Sequence, residues 1–162
     1  CLSDWSSDVC SSDLAAGRRI WSTYYGSLGN ETGQSCSADA SGNVYLAGQA
    51  GGSLTGSIAT TGAYQITNTS GSYDLFIAKF NSSGVRQWAT YYGGPGVENY
   101  ADCATDASGN VFLSGITYSS TGIASTGSHQ STFGGSSDAF LVKFNSSGAR
   151  QWATYHGGSL DE

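Results

Sequence analysis

The fifteen residues from Phe80 to Gly94, FNSSGVRQWATYYGG, recur from Phe144 to Gly158 as FNSSGARQWATYHGG, differing only at Val85/Ala149 and Tyr92/His156. Chance does not produce such a match, so the chain is built on a repeated unit. Working outward, Trp21, Trp88 and Trp152 set the register, 67 and then 64 residues apart. CSADASGNVYLAG (Cys36 to Gly48) answers CATDASGNVFLSG (Cys103 to Gly115), and SYDLFIAKF ending at Phe80 answers SSDAFLVKF ending at Phe144. AAGRRIW, ending at Trp21, answers SSGVRQW, ending at Trp88. The chain therefore divides into the end of a preceding unit at 15–20, repeat 1 at 21–87, repeat 2 at 88–151 and the start of a third at 152–162. Both ends are read as cut within a repeat.

Each unit predicts four short strands. In repeat 1 these are Gly33 to Ala38, Asn43 to Gln49, Asp74 to Phe80 and Val85 to Tyr92, rich in Val, Ile, Tyr, Phe, Trp and Thr and of ordinary strand length. No segment has helical period. Asp39-Ala-Ser-Gly-Asn43 and Asn81-Ser-Ser-Gly84 carry the chemistry of hairpin turns, in which Asp or Asn bonds its own backbone and Gly takes positive φ. The long Gly/Thr/Ser-rich links, Gln49 to Tyr73 and Ile116 to Asp138, read as surface loops and are the natural carriers of specificity. Val44-Tyr-Leu-Ala and Leu75-Phe-Ile-Ala are apolar runs without clean alternation, so both faces of the sheet should be covered. An all-β fold of four-stranded antiparallel blades follows, an incomplete fragment of a larger β-propeller. An open solenoid-like stack is the competing shape.

The combination G-x-x-W-x-T-Y-Y-G-G, D-A-S-G-N-V-Y-L-x-G and D-x-F-x-x-K-F-N-x-x-G, spread over Ala16 to Glu162, resembles the bacterial SBBP repeat, named for a seven-bladed β-propeller. The resemblance implies a large secreted or surface-attached bacterial protein with many repeats and no established enzymatic activity. Cys36 and Cys103 depart from it, standing where a small aliphatic residue is expected, and His156 replaces the second tyrosine. Residues 1–14 have no echo elsewhere, and Asp4 to Leu14, DWSSDVCSSDL, resembles a translated sequencing adapter. The segment is set aside as a non-native, disordered scar.

Composition narrows the function. The 162 residues are 11% charged, with 24 glycines, 10 tyrosines, no methionine and a net charge of −6. Without residues 1–14, nine acids stand against six bases, a net −3. No basic cluster exceeds Arg18 and Arg19, which disfavours nucleic acid and anionic membranes as partners. No apolar run approaches the roughly 20 residues of a membrane span. The absence of methionine fits a piece of a longer reading frame.

The candidate chemistry is sparse. Glu31, Glu98 and Glu162 align before the first strand of each unit. A closed propeller would gather them near one mouth of its channel, either as solvated loop acids or as a ring for a cation or a basic or hydroxyl-rich ligand. Tyr64, Tyr118 and His129, on the varied loops, are further candidate ligand contacts, with Phe133 beside them. In the pairs Tyr24-Tyr25, Tyr91-Tyr92 and Tyr155-His156 one ring should pack between blades while the other faces a groove. Asp39 and Asp106 serve turns in preference to a metal, since each turn lacks the further acids of a calcium loop. Asp74 and Asp138 should cap the loop before the third strand, with Lys79 and Lys143 as possible ion partners. Cys36 and Cys103 are expected as two buried free thiols. His129 and His156 occupy non-equivalent places, and without a Cys-x-x-Cys or His-Glu-x-x-His motif no zinc site, other metal or cofactor is predicted.

These readings converge on a non-enzymatic extracellular or cell-surface module. It would act as a scaffold or adhesion unit, meeting a glycan or protein ligand through its loops and further repeats of its own chain through its faces. A carbohydrate-active propeller enzyme with catalytic residues outside the fragment is the alternative. An intracellular interaction propeller is a third.

Overall fold

The computed structural model describes residues 19–52, 58–69 and 73–160. Residues 1–14 and Glu162 lie outside them. Two four-stranded antiparallel sheets follow one another along the chain. The first holds β1 (Asn30–Ala38), β2 (Val44–Gly51), β3 (Tyr73–Phe80) and β4 (Arg86–Tyr92). The second holds β5 (Glu98–Thr105), β6 (Val111–Thr117), β7 (Asp138–Phe144) and β8 (Arg150–His156). Strand order equals chain order in both, so each repeat is a meander. No helix occurs among the described residues, and hence none long and apolar enough to cross a membrane.

The turns form for the reasons read from their residues. The Asp39 backbone N–H donates to the Asn43 carbonyl at 3.0 Å, and its carboxylate accepts from the Ser41 and Asn43 backbone N–H groups at 3.0 Å each. Gly42 takes the φ of +74° that closes this turn. Asp106, Ser108 and Asn110 repeat the arrangement. Between β3 and β4 the Asn81 side chain accepts from Ser83 and Val85, and Asn145 does the same for Ser147 and Ala149. The first strand begins at Asn30, earlier than Gly33. Its start pairs with the far end of β2 across a bulge at Gly33/Ser35, a register break that the composition does not signal.

The sheets pack face to face. Tyr45, Leu75, Ile77, Trp88 and Tyr92 of the first meet Leu113, Phe140, Val142, Phe144 and Tyr155 of the second in one core. The opposite face of the first sheet is covered too. Ala78, Phe80 and Ala89 lie under Trp21 and Tyr25, while Phe76 and Tyr91 pack with Ile58 of the long link. So β3 is buried along its length after Tyr73, as its apolar run predicts. In β7 burial alternates residue by residue, because the described residues cover only one face of the second sheet.

Two expectations are corrected here. Cys103 is buried, with its sulfur 3.7 Å from Ser35 Oγ, but Cys36 is exposed, because nothing among the described residues lies over that point of the first sheet. Lys79 does not pair with Asp74. An odd separation of five residues along one strand puts them on opposite faces and roughly 17 Å apart. Lys79 reaches the Ser146 carbonyl instead, at 3.1 Å, over the Tyr45 ring.

Candidate functional site

The functional geometry is concentrated in the seam between the sheets. Trp88, at the outer strand β4, donates its indole N–H to the Ser146 carbonyl at 3.0 Å. Its ring covers Gly148, where a Cβ would lie 2.7 Å from the indole. Tyr92 donates its hydroxyl to the Ile123 carbonyl at 2.7 Å and packs on Phe140 and Phe144. The same contacts recur one repeat earlier. Trp21 donates to the Ser82 carbonyl at 3.1 Å and covers Gly84, and Tyr25 donates to the Ile58 carbonyl at 2.7 Å and packs on Phe76 and Phe80. The segment around Trp21 and Tyr25 therefore occupies, on the first sheet, the place that β4 occupies on the second. The third copy of the pair, Trp152 and His156, is exposed on the face of the second sheet that no other sheet of the described residues covers.

At the inner strands the sheets are stitched by polar side chains. Ser35 Oγ donates to Asp102 Oδ1 at 2.6 Å, Thr105 Oγ1 donates to the Ala38 carbonyl at 2.9 Å, and Gln49 Nε2 donates to the Glu98 carbonyl at 2.8 Å. Farther out the sheets separate. A cleft of about 540 Å³ opens between β4 and the β7–β8 turn, lined by Thr60, Thr61, Tyr64, Trp88, Ser147 and Arg150 among others. Arg150 stacks on Tyr64, its guanidinium carbon 4.4 Å from the ring centre, and donates to the Ile123 carbonyl. Aromatic faces, hydroxyls and one guanidinium give this cleft the means to hold a hydroxyl-rich or peptide-like ligand.

Glu98 is the most unusual acid of the seam. It is fully buried: Thr117 and Ser119 donate their hydroxyls to Oε1, and the Gly94 N–H donates to Oε2. Asp74, also fully buried, faces it across Gly93, where a Cβ would lie 2.3 Å from Glu98 Oε2 and 2.5 Å from Asp74 Cγ. Asp74 Oδ2 accepts from Thr69 N–H at 3.0 Å and from Gln65 Nε2 at 2.7 Å, whereas its Oδ1 has no donor in the described structure. Burial pushes the Glu98 carboxyl up to about 7 despite the hydroxyls of Ser119 and Thr117, with the Asp74 charge adding to the rise. Burial raises Asp74 as well. Two adjacent buried carboxyls are accommodated when they share a proton, and a protonated Glu98 supplies the donor that Asp74 Oδ1 lacks.

The candidates do not converge on one place. Glu98 is buried in the seam, away from solvent. Glu31 is half-buried and accepts from the Ser27 N–H at 2.9 Å and from the Ser27 hydroxyl. Glu162 lies outside the described residues. Tyr64 lines the cleft; Tyr118 is exposed after β6, its N–H donating to the Val97 carbonyl; His129 stacks on His156. Phe133 packs on Tyr155. Tyr91 and Tyr92 are both buried, so neither faces a groove. Asp138 caps its loop by accepting from the Gly134 N–H, and Lys143 pairs with Asp106 at 3.7 Å. Hydrogen bonds from Asn43, Ser41 and Tyr45 outweigh the upward push of desolvation and hold the Asp39 carboxyl below its ordinary value, as a turn acid requires. No group of three or more His, Cys, Asp or Glu side chains converges among the described residues. The Asp74–Glu98 pairing is what the reading of single motifs misses. A signal existed: Asp74 to Glu98 and Asp138 to Glu162 are both separated by 24 residues.

No protein-family model matches the chain, and no curated protein matches it either.

Proposed function

We propose that the chain is a pair of blades from a non-enzymatic β-propeller of the SBBP type, serving as a rigid scaffold or adhesion module on the outside of a bacterial cell. One observation carries this reading: the same Trp/Tyr contact is made twice with equivalent partners, by Trp21 and Tyr25 to Ser82 and Ile58 and by Trp88 and Tyr92 to Ser146 and Ile123. A third copy, Trp152 and His156, stands on a face that no other sheet of the described residues covers. Phe112, Ala139 and Leu141 sit half-buried on that face, at the places where the first sheet buries Tyr45, Leu75 and Ile77. A further repeat packing there would bury them by the same contacts. Sheets that meet closely at their inner strands and part at their outer ones are wedges, and wedges stacked by a constant operation close around an axis.

The acids support a structural role over a catalytic one, since Glu98, Asp74, Asp138, Asp39 and Asp106 are all engaged in seams, loops or turns. Recognition falls to the outer cleft beside Tyr64 and Arg150, with a glycan or protein as ligand. Amplifying the native locus outward from codons 19–160 tests the reading. A frame with roughly six to eight W-x-T-Y-[YH]-G-G units behind a secretion signal is the expected result. A native frame with no further unit on either side refutes it.

A further inference from the structure

The chain has two histidines, His129 and His156, separated by 27 residues and carried by different elements, the loop before β7 and the end of β8. The fold brings them together, ring centres 6.5 Å apart and planes inclined by 29°. Both are exposed, and neither imidazole takes part in a hydrogen bond or ion pair with the described residues. They line a shallow recess of about 380 Å³ with Gln130 and Gly157. The backbones that carry them are fixed to each other. Tyr155 N–H donates to the Gln130 carbonyl at 3.0 Å, Gln130 N–H to Thr154 Oγ1 at 2.9 Å, and Gly157 N–H to Gln130 Oε1 at 3.1 Å. At the equivalent place in the first repeat stand two tyrosines, Tyr64 and Tyr92, in a tilted ring contact at 5.8 Å and 30°. Both members of one contacting pair have thus exchanged a phenol, a poor metal ligand when protonated, for an imidazole.

We propose that His129 and His156 form a surface site for one borderline divalent transition-metal ion, of the Ni²⁺, Cu²⁺ or Zn²⁺ kind, each supplying one ring nitrogen. Imidazole favours these ions over Ca²⁺ or Mg²⁺, and no carboxylate of the described residues lines the recess to favour a harder cation. At metal–nitrogen distances of about 2.0–2.1 Å, two imidazoles sharing one ion stand roughly 5 Å apart between centres. Exposed side chains reach that from 6.5 Å by a small rotation about their own χ angles, with the backbone held by the three hydrogen bonds. Water completes the coordination. His156 stands on the face that the scaffold reading covers with a further repeat, as the second sheet covers its counterpart Tyr92, so metal and repeat would compete for that histidine.

Zinc titration of the full chain, with Cys1, Cys10 and Cys36 replaced by Ser, tests the proposal through the two histidine ring resonances in an NMR spectrum. The expected result is that both rings shift together, with one midpoint and saturation at one Zn²⁺ per chain. H129Y and H156Y install the residue that the first repeat carries and should each weaken binding at the remaining histidine at least tenfold. Their urea midpoints verify that the variants fold. Rings that titrate with separate midpoints, or single variants that bind as the parent does, overturn the proposal and leave an aromatic stack.

Discussion

Raising the pH should loosen the seam between the sheets, and the Glu98 carboxyl sets the size of the effect. Its ordinary value of 4.5 is raised by burial to about 7 in the folded protein. The native state therefore binds this proton more tightly than the unfolded chain does. Its stabilisation is complete below pH 4.5 and is lost as the pH rises through 7. Raising the carboxyl from 4.5 to about 7, at about 1.36 kcal/mol for each tenfold change in proton affinity, gives roughly 3 kcal/mol. Asp74, also raised, acts in the same sense. Glu98→Gln keeps an oxygen to accept from Thr117 and Ser119 and puts an amide N–H toward Asp74 Oδ1, but it turns an amide group toward the Gly94 N–H, at a cost of about 1 kcal/mol. Urea unfolding followed by tryptophan fluorescence at pH 5 and pH 8 measures both proteins. The parent should lose about 3 kcal/mol between these values and the variant less than about 1 kcal/mol, so that the order of stability reverses. A parent with equal stability at both pH values, or a variant that keeps the full loss, would refute the shared proton.

Four further outcomes follow from the same geometry. Trp88→Ala should cost about 3–5 kcal/mol, whereas Trp152→Ala, at the equivalent position but 38% exposed, should cost about 1 kcal/mol or less in urea unfolding. Tyr100 holds a φ of +60° in the β5 bulge with its side chain exposed, so Tyr100→Gly should raise the urea midpoint by an amount worth about 1 kcal/mol. Gly148→Ala combines a φ of +85° with a Cβ 2.7 Å from Trp88 and should destabilise by more than Gly127→Ala, where φ is +76° and nothing lies within 4 Å; parallel thermal melts compare them. Peptide mapping after brief alkylation of the native chain should find Cys36 modified and Cys103 protected, because burial both covers the Cys103 thiol and raises its pKa.

What the sequence made legible is what recurs locally. The D-A-S-G-N and N-S-S-G turns were readable because each is closed by its own side chain within five residues. Strands β2, β3, β6 and β7 were readable because their apolar runs are nearly continuous. Longer-range partners were not. The Lys79 ammonium is held by Ser146, a partner 67 residues on, and Glu98 faces an acid of the preceding repeat; no local motif carries either contact. The stacked histidines are hidden for the same reason, since the loop that carries His129 differs in length between the repeats.

The most instructive difference lies between β3 and β7, which share one pattern and differ in burial. DLFIAKF in the first sheet is buried on both faces, whereas DAFLVKF in the second alternates between buried and half-buried. Sequence prescribes an apolar residue at each position but not the surface that will cover it. At Leu75 and Ile77 that surface is the second sheet; at Ala139 and Leu141 it is not among the described residues. Lys143 shows the consequence. Its equivalent, Lys79, crosses the seam to a carbonyl of the next sheet, while Lys143 folds back to Asp106 of its own sheet at 3.7 Å. If a further repeat covers this face, Lys143 should exchange that half-buried surface ion pair, worth at most about 1 kcal/mol, for a carbonyl of the incoming β-turn. Lys143→Met should then leave the present chain within about 1 kcal/mol of its stability while weakening a version extended by one repeat. An equal loss in both lengths would show that the lysine serves only its own sheet.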